Sequence, residues 1–147
     1  MSQVQVTLPI EPDDDGWPHL LHERVWAELL PDGLARVDNI PFFSSCAALG
    51  DVVSFTTGEN QPNDFERVVR PSENSLVRVM CQSREVFDSV ARELEAFGCS
   101  VEAHLQMFLL AVSIPPTVDI QLPMDYLVEK EATGCLEYQE AIIRLAP

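Results

Sequence analysis

The chain has two places where acidic, amide and imidazole side chains stand in spacings that could do chemistry. Asp38 and Asn39 come just before an Ile-Pro pair, where they can present an acid and an amide at the mouth of a loop. Glu102 and His104 alternate along a predicted strand and therefore share one of its faces. A histidine near a carboxylate can move a proton. One hypothesis is therefore an enzyme whose site joins Asp38, Asn39 and His104 between two halves of the chain.

Both places also have a simpler interpretation, which we favour. Asp and Asn side chains commonly bond to nearby backbone groups and shape the end of a strand. Polar residues two apart on a strand are a common solvated pattern. The chain has no Gly-x-Ser-x-Gly, no Walker-type loop and no Gly-x-Gly-x-x-Gly. The sequence therefore predicts a protein that is not an enzyme, with no catalytic residues and no cofactor.

The cysteines and histidines do not follow a metal-binding pattern. Four cysteines, at positions 46, 81, 99 and 135, occur without Cys-x-x-Cys spacing, so we favour buried free thiols over a disulfide pair. His19 and His22 have no partner cysteine or carboxylate at a recognisable interval. No metal site is predicted.

Net charge is the strongest compositional signal. The 147 residues include 24 acidic and 9 basic side chains, which give a formal charge of −15. Such a field repels nucleic-acid phosphates, so DNA and RNA are not expected as partners. A basic protein is the partner that this charge favours, against the plainer alternative of an acidic protein without one. The triplet Asp13, Asp14 and Asp15 lies in a loop with Pro and Gly, where it is either solvated or ordered by such a partner.

The first half of the chain, residues 1–74, is predicted to be a β-rich subdomain with an acidic N-terminal loop. Val4 to Leu8 suits a short edge strand, and Leu20 to Leu30 alternates apolar and polar residues as a strand does. The turn Pro31-Asp32-Gly33 then leads into the second arm of a hairpin. This arm covers 34–40, and further strands are predicted over 52–55 and 65–69. Together they predict a small antiparallel β-barrel or a strongly bent sheet.

The second half, residues 75–147, changes its hydrophobic period. Strands are predicted over 76–81, 99–106, 107–114 and 136–145. Apolar residues at helical spacing predict one helix between the N-cap Ser83 and Gly98. A second helix is predicted to be capped by Thr117, or to become regular only near Pro123. The order strand, helix, strand, strand, helix, strand predicts a ferredoxin-like half, and the fold class is α+β.

Three motifs follow one another in the first half: Val25-Trp26-Ala27-Glu28, then Asp38-Asn39-Ile40-Pro41-Phe42-Phe43, then Gly50-Asp51-Val52-Val53. With these motifs in order, the chain resembles a family of uncharacterised bacterial proteins of about this length, known only as a domain of unknown function. The likeness covers Arg24 to Val69 well and extends more loosely through the strand at Leu136. It implies a bacterial source and no reaction. Pro123 is a departure from the family pattern that leaves the limits of the second helix open.

The residues predicted to contact a partner are Asp13, Asp14, Asp15, Trp26, Asp38, Asn39 and Phe43. Trp26 shares its strand face with charged neighbours, so it either packs between the halves or is an exposed anchor of an interface. Phe42 and Phe43 point opposite ways in extended chain, so only one ring is easily buried. For the other ring, packing between the two halves is favoured over a partner. Gly50-Asp51 is most simply a tight turn into a strand.

Three functions follow from these observations, in order of preference. The first is a non-enzymatic, acidic protein-binding module, an immunity or inhibitor protein that neutralises a basic bacterial toxin. The second is a small-molecule-sensing regulatory domain, and the third is the enzyme described above. The chain has no apolar run of membrane length and no signal-peptide pattern, so we expect no membrane contact and a cytoplasmic location.

Overall fold

The alternating segments of the first unit, Met1–Ser72, form a closed five-stranded barrel in the computed structural model, which describes residues 2–145. The inward side chains of these strands form the barrel core, including Val6 and Leu8, Val25 and Ala27, and Val53. In chain order the strands are β1 (Gln3–Pro9), β2 (His22–Leu29), β3 (Ala35–Val37), β4 (Val52–Thr56) and β5 (Asn63–Arg70). A small barrel, one of the two expected architectures, is therefore confirmed, but it is not wholly antiparallel, because β1 and β5 pair in parallel.

The first strand is central to the closure of the barrel, and the prediction that it is an edge strand is wrong. β1 pairs antiparallel with β2 along its whole length. It also pairs in parallel with β5, where Val6 lies opposite Asn63 and Thr7 opposite Asp64. This second pairing uses the free side of β1 and leaves the barrel without an edge.

The second unit, Glu73–Pro147, contains a four-stranded sheet and two helices. Every neighbouring pair in the strand order β7-β8-β6-β9 is antiparallel. Val79 and Leu110 of the sheet pack with Leu94 and Leu127 of the helices in one buried cluster. The elements are β6 (Ser75–Cys81), α1 (Arg84–Ala96), β7 (Ser100–His104), β8 (Leu109–Ile114), α2 (Gln121–Ala132) and β9 (Leu136–Ile142). The α+β fold class is thus confirmed.

Helix α1 begins and ends where its sequence predicts. The Ser83 Oγ accepts a hydrogen bond from the Val86 N–H at 3.2 Å, which satisfies one of the free donors of the first turn. Gly98 follows the helix with a φ of +103°, a conformation that L side chains rarely adopt. A Cβ added to Gly98 would also lie 2.9 Å from the Val118 Cγ2, so glycine is required there for two reasons.

Several predicted limits differ from the structure. The strands predicted over 99–106 and 107–114 are separated by a 3-10 turn at Leu105–Met107, and the strand predicted over 136–145 ends at Ile142. The second arm of the hairpin is shorter than 34–40, since β3 ends at Val37. Thr117 is not the cap of α2: the helix begins at Gln121, whose N–H bonds to the Asp119 carboxylate at 3.1 Å. Pro123 is the third residue of α2, where a missing N–H breaks no intrahelical bond, so the helix tolerates it. Within residues 2–145, no helix has the length and apolar character needed to cross a membrane.

Candidate protein-interaction surfaces

The structure brings Trp26, Asp38 and Asn39 together through the backbone of β2. The Asn39 Oδ1 accepts the Trp26 N–H at 2.6 Å, and the Asp38 N–H donates to the Trp26 carbonyl at 2.9 Å. The Asp38 Oδ2 accepts a bond from the Gln3 side-chain amide at 3.0 Å. These bonds continue the β2–β3 ladder beyond the end of β3, and they hold the backbone of Trp26 in place. The acid and amide are therefore used by the barrel itself.

The indole of Trp26 stands on the outer surface of the barrel, where 46% of the residue is exposed. It borders an open depression of about 450 Å³ on the outer face of β1 and β2 and the start of β5. Arg24 is the one charged residue among the described residues that line it, and no carboxylate does. The remaining lining residues are Gln3, Val4, Gln5, Thr7, Gln61, Pro62 and Asn63. The lining of this depression is therefore polar, with one basic side chain.

Phe43 lies in a loop that is held by a carboxylate which the sequence did not single out. The Glu23 side chain accepts the backbone N–H groups of Phe42, Phe43 and Ser44 at 2.6, 2.9 and 2.8 Å. The buried Ser44 hydroxyl then donates to the Pro9 carbonyl at 2.6 Å. Glu23 is about twenty positions away in sequence, so no local pattern could have indicated this role.

The loop that carries the acidic triplet is joined to Phe43 by an aromatic contact of Trp17. The Asp13 carboxylate accepts the backbone N–H groups of Asp15 and Trp17 at 3.0 and 2.9 Å, which closes a tight loop. The Trp17 ring meets the Phe43 ring edge to face, with centroids 6.0 Å apart. Asp14 and Asp15 remain exposed. The predicted partner-contacting residues thus form two groups on the barrel, one at Trp26 and one at Phe43 and the triplet.

Asp51, in the third motif, is a buried carboxylate that fixes the entry to β4. Its Oδ2 accepts the Ala48 N–H at 2.9 Å and its Oδ1 accepts the Ser72 N–H at 2.7 Å. Gly50 before it has a φ of +84°, as a tight turn requires. The motif is therefore a turn with a structural acid. Its carboxylate ties the turn to the end of the first unit.

The residues of the enzyme hypothesis lie in different units. Asp38 and Asn39 belong to the barrel, whereas Glu102 and His104 belong to β7 of the second unit. Convergence of these side chains on one pocket stays a prediction. Among residues 2–145, no three His, Cys, Asp or Glu side chains gather as a metal site would require.

The four cysteines are free thiols, as predicted, although only two are fully buried. Burial raises the pKa of Cys81 and of Cys99 to about 11. Burial also raises the pKa of Cys46, which lies 3.1 Å from the Ser44 hydroxyl. A thiol with a raised pKa carries little thiolate at neutral pH, and these side chains therefore behave as small hydrophobes.

Helix α2 and strand β9 carry a further surface, which we call the acidic surface. Its exposed carboxylates belong to Asp119, Asp125, Glu129, Glu131 and Glu140. The three ion pairs found among the described residues join Arg36 to Glu28, Arg70 to Asp32 and Arg84 to Asp88, and so use none of them.

Apolar side chains lie within the acidic surface. Leu122 and Val128 of α2 are each 53% exposed, on a helix whose buried side holds Pro123 and Leu127. These two exposed side chains are candidates for contact with a partner. The sequence shows acids at 119, 125 and 129 around Leu122 and Val128. They could be assigned to one surface only once the limits of α2 were known.

Residues 23–138 match the family model described as Domain of unknown function (DUF4265). The chain belongs to this family. The resemblance to an uncharacterised domain family is therefore confirmed, and it covers most of the barrel and nearly all of the second unit.

The DUF4265 chain is also similar to a solved structure, described as a novel crystal structure of a hypothetical protein from Neisseria gonorrhoeae. The TM-score is 0.79 at 19% sequence identity, over 99% of each chain. At this identity the likeness concerns the fold alone. No curated protein matches the chain.

Proposed function

We propose that this DUF4265 protein is a non-enzymatic, acidic protein-binding module, specifically an immunity or inhibitor protein that neutralises a basic bacterial toxin. The observation that carries the proposal is the acidic surface, where the exposed Asp125 lies one helical turn from both Leu122 and Val128, and further exposed carboxylates follow along α2 and on β9. A basic partner meets both needs of such a surface, since it neutralises the carboxylates and covers the apolar side chains.

Charge supports speed and selectivity of binding in this proposal. The formal charge of −15 attracts a basic partner over long range and repels acidic competitors and nucleic acids. An inhibitor that must capture a toxin quickly benefits from such steering, which weakens steeply with added salt. The proposal includes a cytoplasmic location, where such a toxin would act.

The two groups predicted on the barrel have a supporting role in the proposal. Asp14 and Asp15 add exposed negative charge beside Phe43. Trp26 offers a large aromatic surface. Its backbone is already held by Asn39, so little backbone freedom is lost when a partner packs against it.

We also propose that the second unit has a ferredoxin-like fold. Two features support this: the strand order β7-β8-β6-β9, and a buried cluster in which both helices contribute to one core with the sheet. A sheet of this type has a free outer strand beside α2, which brings β9 and the carboxylates of α2 into one surface.

A small-molecule-sensing regulatory domain is the second candidate, and the depression at Trp26 favours it. An exposed indole with Arg24 and several neutral amides suits a polar, uncharged or weakly acidic ligand. The test is a thermal-shift screen of metabolites in which a stabilising ligand loses its effect in Trp26→Ala. The enzyme with Asp38, Asn39 and His104 remains the third candidate.

The main proposal is tested by capture and reconstitution. The tagged protein is incubated with lysate of its source bacterium, and a captured protein is identified, purified and titrated by calorimetry. We expect a basic protein whose Kd rises at least tenfold between 50 and 300 mM NaCl. Asp125→Asn with Glu129→Gln should weaken binding about 3- to 30-fold, since each exposed ion pair contributes about 0.3–1 kcal/mol.

The control is Glu59→Gln with Glu95→Gln, which changes the net charge equally at two exposed acids outside the acidic surface. It should change the Kd less than about twofold. Capture of acidic or neutral proteins only, or a complex whose affinity ignores salt, contradicts the proposal.

A further inference from the structure

Strand β9 has an accessible side. In the sheet order β7-β8-β6-β9 it is the outer strand, and it pairs with β6 alone among the described strands. The Tyr138 N–H does not bond to β6 and instead donates to the Glu131 carboxylate of α2 at 3.3 Å. Glu137, Gln139 and Glu140 are exposed. A strand edge of this kind is a template for another strand, because its outward N–H and C=O groups require partners.

The charges around this edge select which strand can join it. Tyr138 faces the helices and packs with their core, so its neighbour Glu137 points to the opposite face of the sheet. Burial, and then the Glu131 and Glu140 carboxylates, raise the pKa of Tyr138, as expected when both acids lie close to its hydroxyl. The edge therefore has negative charge on both faces.

A second copy of the chain does not suit this edge. β9 contains no basic residue, so its copy offers no partner for Glu137 or Glu140. In the antiparallel register centred between Tyr138 and Gln139, these two glutamates would lie opposite each other, which is unfavourable. A strand carrying Lys or Arg on both of its faces satisfies both the backbone and the charges.

We propose that β9 is the docking edge for an extended basic segment of the partner, which adds to the sheet as a fifth strand. This inference rests on the proposed function and specifies how the partner binds. The Glu131 carboxylate releases the Tyr138 N–H to a carbonyl of the incoming strand and pairs with one of its basic side chains. Backbone bonds supply the affinity, and the glutamates supply the selection for basic residues.

The test uses synthetic peptides and the full-length, ¹⁵N-labelled protein. The probe is an acetylated ten-residue peptide in which pairs of Lys alternate with pairs of Val, so that both faces of the strand carry Lys. One control peptide replaces each Lys with Glu, and a second keeps every Lys but is N-methylated at alternate residues along one edge. N-methylation preserves charge and removes the donors and the space that strand addition requires. Binding is followed by anisotropy and by the amide resonances of the protein.

We expect the Lys-Val peptide to shift the amides of Leu136–Ile142 and the Tyr138 amide most. The methylated peptide should bind at least tenfold more weakly, and the Glu-Val peptide should not bind. Glu137→Gln with Glu140→Gln should weaken the Lys-Val peptide about 3- to 30-fold, whereas Glu59→Gln with Glu95→Gln should change it less than about twofold.

Equal binding of the methylated and unmethylated peptides would overturn the inference, because the attraction would then be charge alone. So would amide shifts outside β9 and α2, or a dimer in sedimentation equilibrium that buries β9. If a captured basic partner responds to the α2 variants but not to the β9 variants, the proposed function stands and the docking edge is wrong. If no basic partner exists but the peptide adds to β9, the failure belongs to the proposed function.

Discussion

Glu23 offers the most direct test of how this barrel is built. Its carboxylate accepts three backbone N–H groups from the loop that follows Pro41, at 2.6 to 2.9 Å. Replacing Glu23 with Ala leaves these donors without their acceptor. A net loss of about 1 kcal/mol per bond applies where water can reach part of the site, so we expect a cost of about 3 kcal/mol in the free energy of unfolding.

The assay is urea unfolding of the full chain, followed by circular dichroism and by tryptophan fluorescence. The two probes must coincide before a free energy is derived, because a chain with two units can unfold in steps. Amide hydrogen exchange at Phe42, Phe43 and Ser44 gives a local measurement that does not depend on that condition. We expect exchange there to accelerate by about two orders of magnitude in Glu23→Ala, in proportion to the lost stability.

Two variants on the same strand serve as controls. Glu23→Gln keeps one oxygen acceptor and should cost less than Glu23→Ala. Glu28→Ala removes an acid whose ion pair with Arg36, at 3.7 Å, is partly exposed, and should cost less than about 1 kcal/mol. If Glu23→Ala costs no more than Glu28→Ala, and the loop amides keep their protection, the carboxylate does not hold the loop.

Three further outcomes concern a buried carboxylate, a glycine with a positive φ and two buried thiols. Asp51→Ala should destabilise the barrel by about 2–4 kcal/mol in urea unfolding, because two backbone donors lose a fully buried acceptor; a cost near zero would contradict this role. Gly98→Ala should lower the free energy of unfolding by about 1–2 kcal/mol or more, given its φ of +103° and the approach to Val118; an unchanged Tm would refute the strain. In folded protein at pH 8, iodoacetamide should alkylate Cys81 and Cys99 about 100-fold more slowly than an ordinary thiol, since their pKa is raised from 9.0 to about 11. If the folded protein is alkylated as fast as the protein unfolded in urea, these thiols are not buried. Their alkylation should accelerate as the pH rises toward 11, because the thiolate form then becomes populated.

The predictable part of this protein consists of elements whose signals are local. Helix α1 has its cap, its apolar spacing and its terminal glycine within sixteen residues, and each acts through bonds or contacts to near neighbours. The alternation in β2 likewise assigns Val25 and Ala27 to the core and Trp26 to the surface. The net charge, the family motifs and the α+β class could be predicted from the sequence for the same reason, because they do not depend on which distant segments meet.

Contacts between distant segments account for what the sequence could not predict. The parallel pairing that makes β1 a closing strand joins residues almost sixty positions apart, and no local pattern specifies it. Asp38 and Asn39 look like a possible acid and amide pair, yet the fold uses them to bond Gln3 and the backbone of Trp26.

The acidic residues show the division most clearly. Their number, and hence the formal net charge of −15, is a property of the sequence alone. Which of them act together depends on the fold: Glu23 and Asp51 bind backbone inside the barrel, whereas Glu131, Glu137 and Glu140 surround the outer strand β9. The physical reason is that a charge is carried by its own residue, while a surface exists only where strand order and helix placement bring separate residues together.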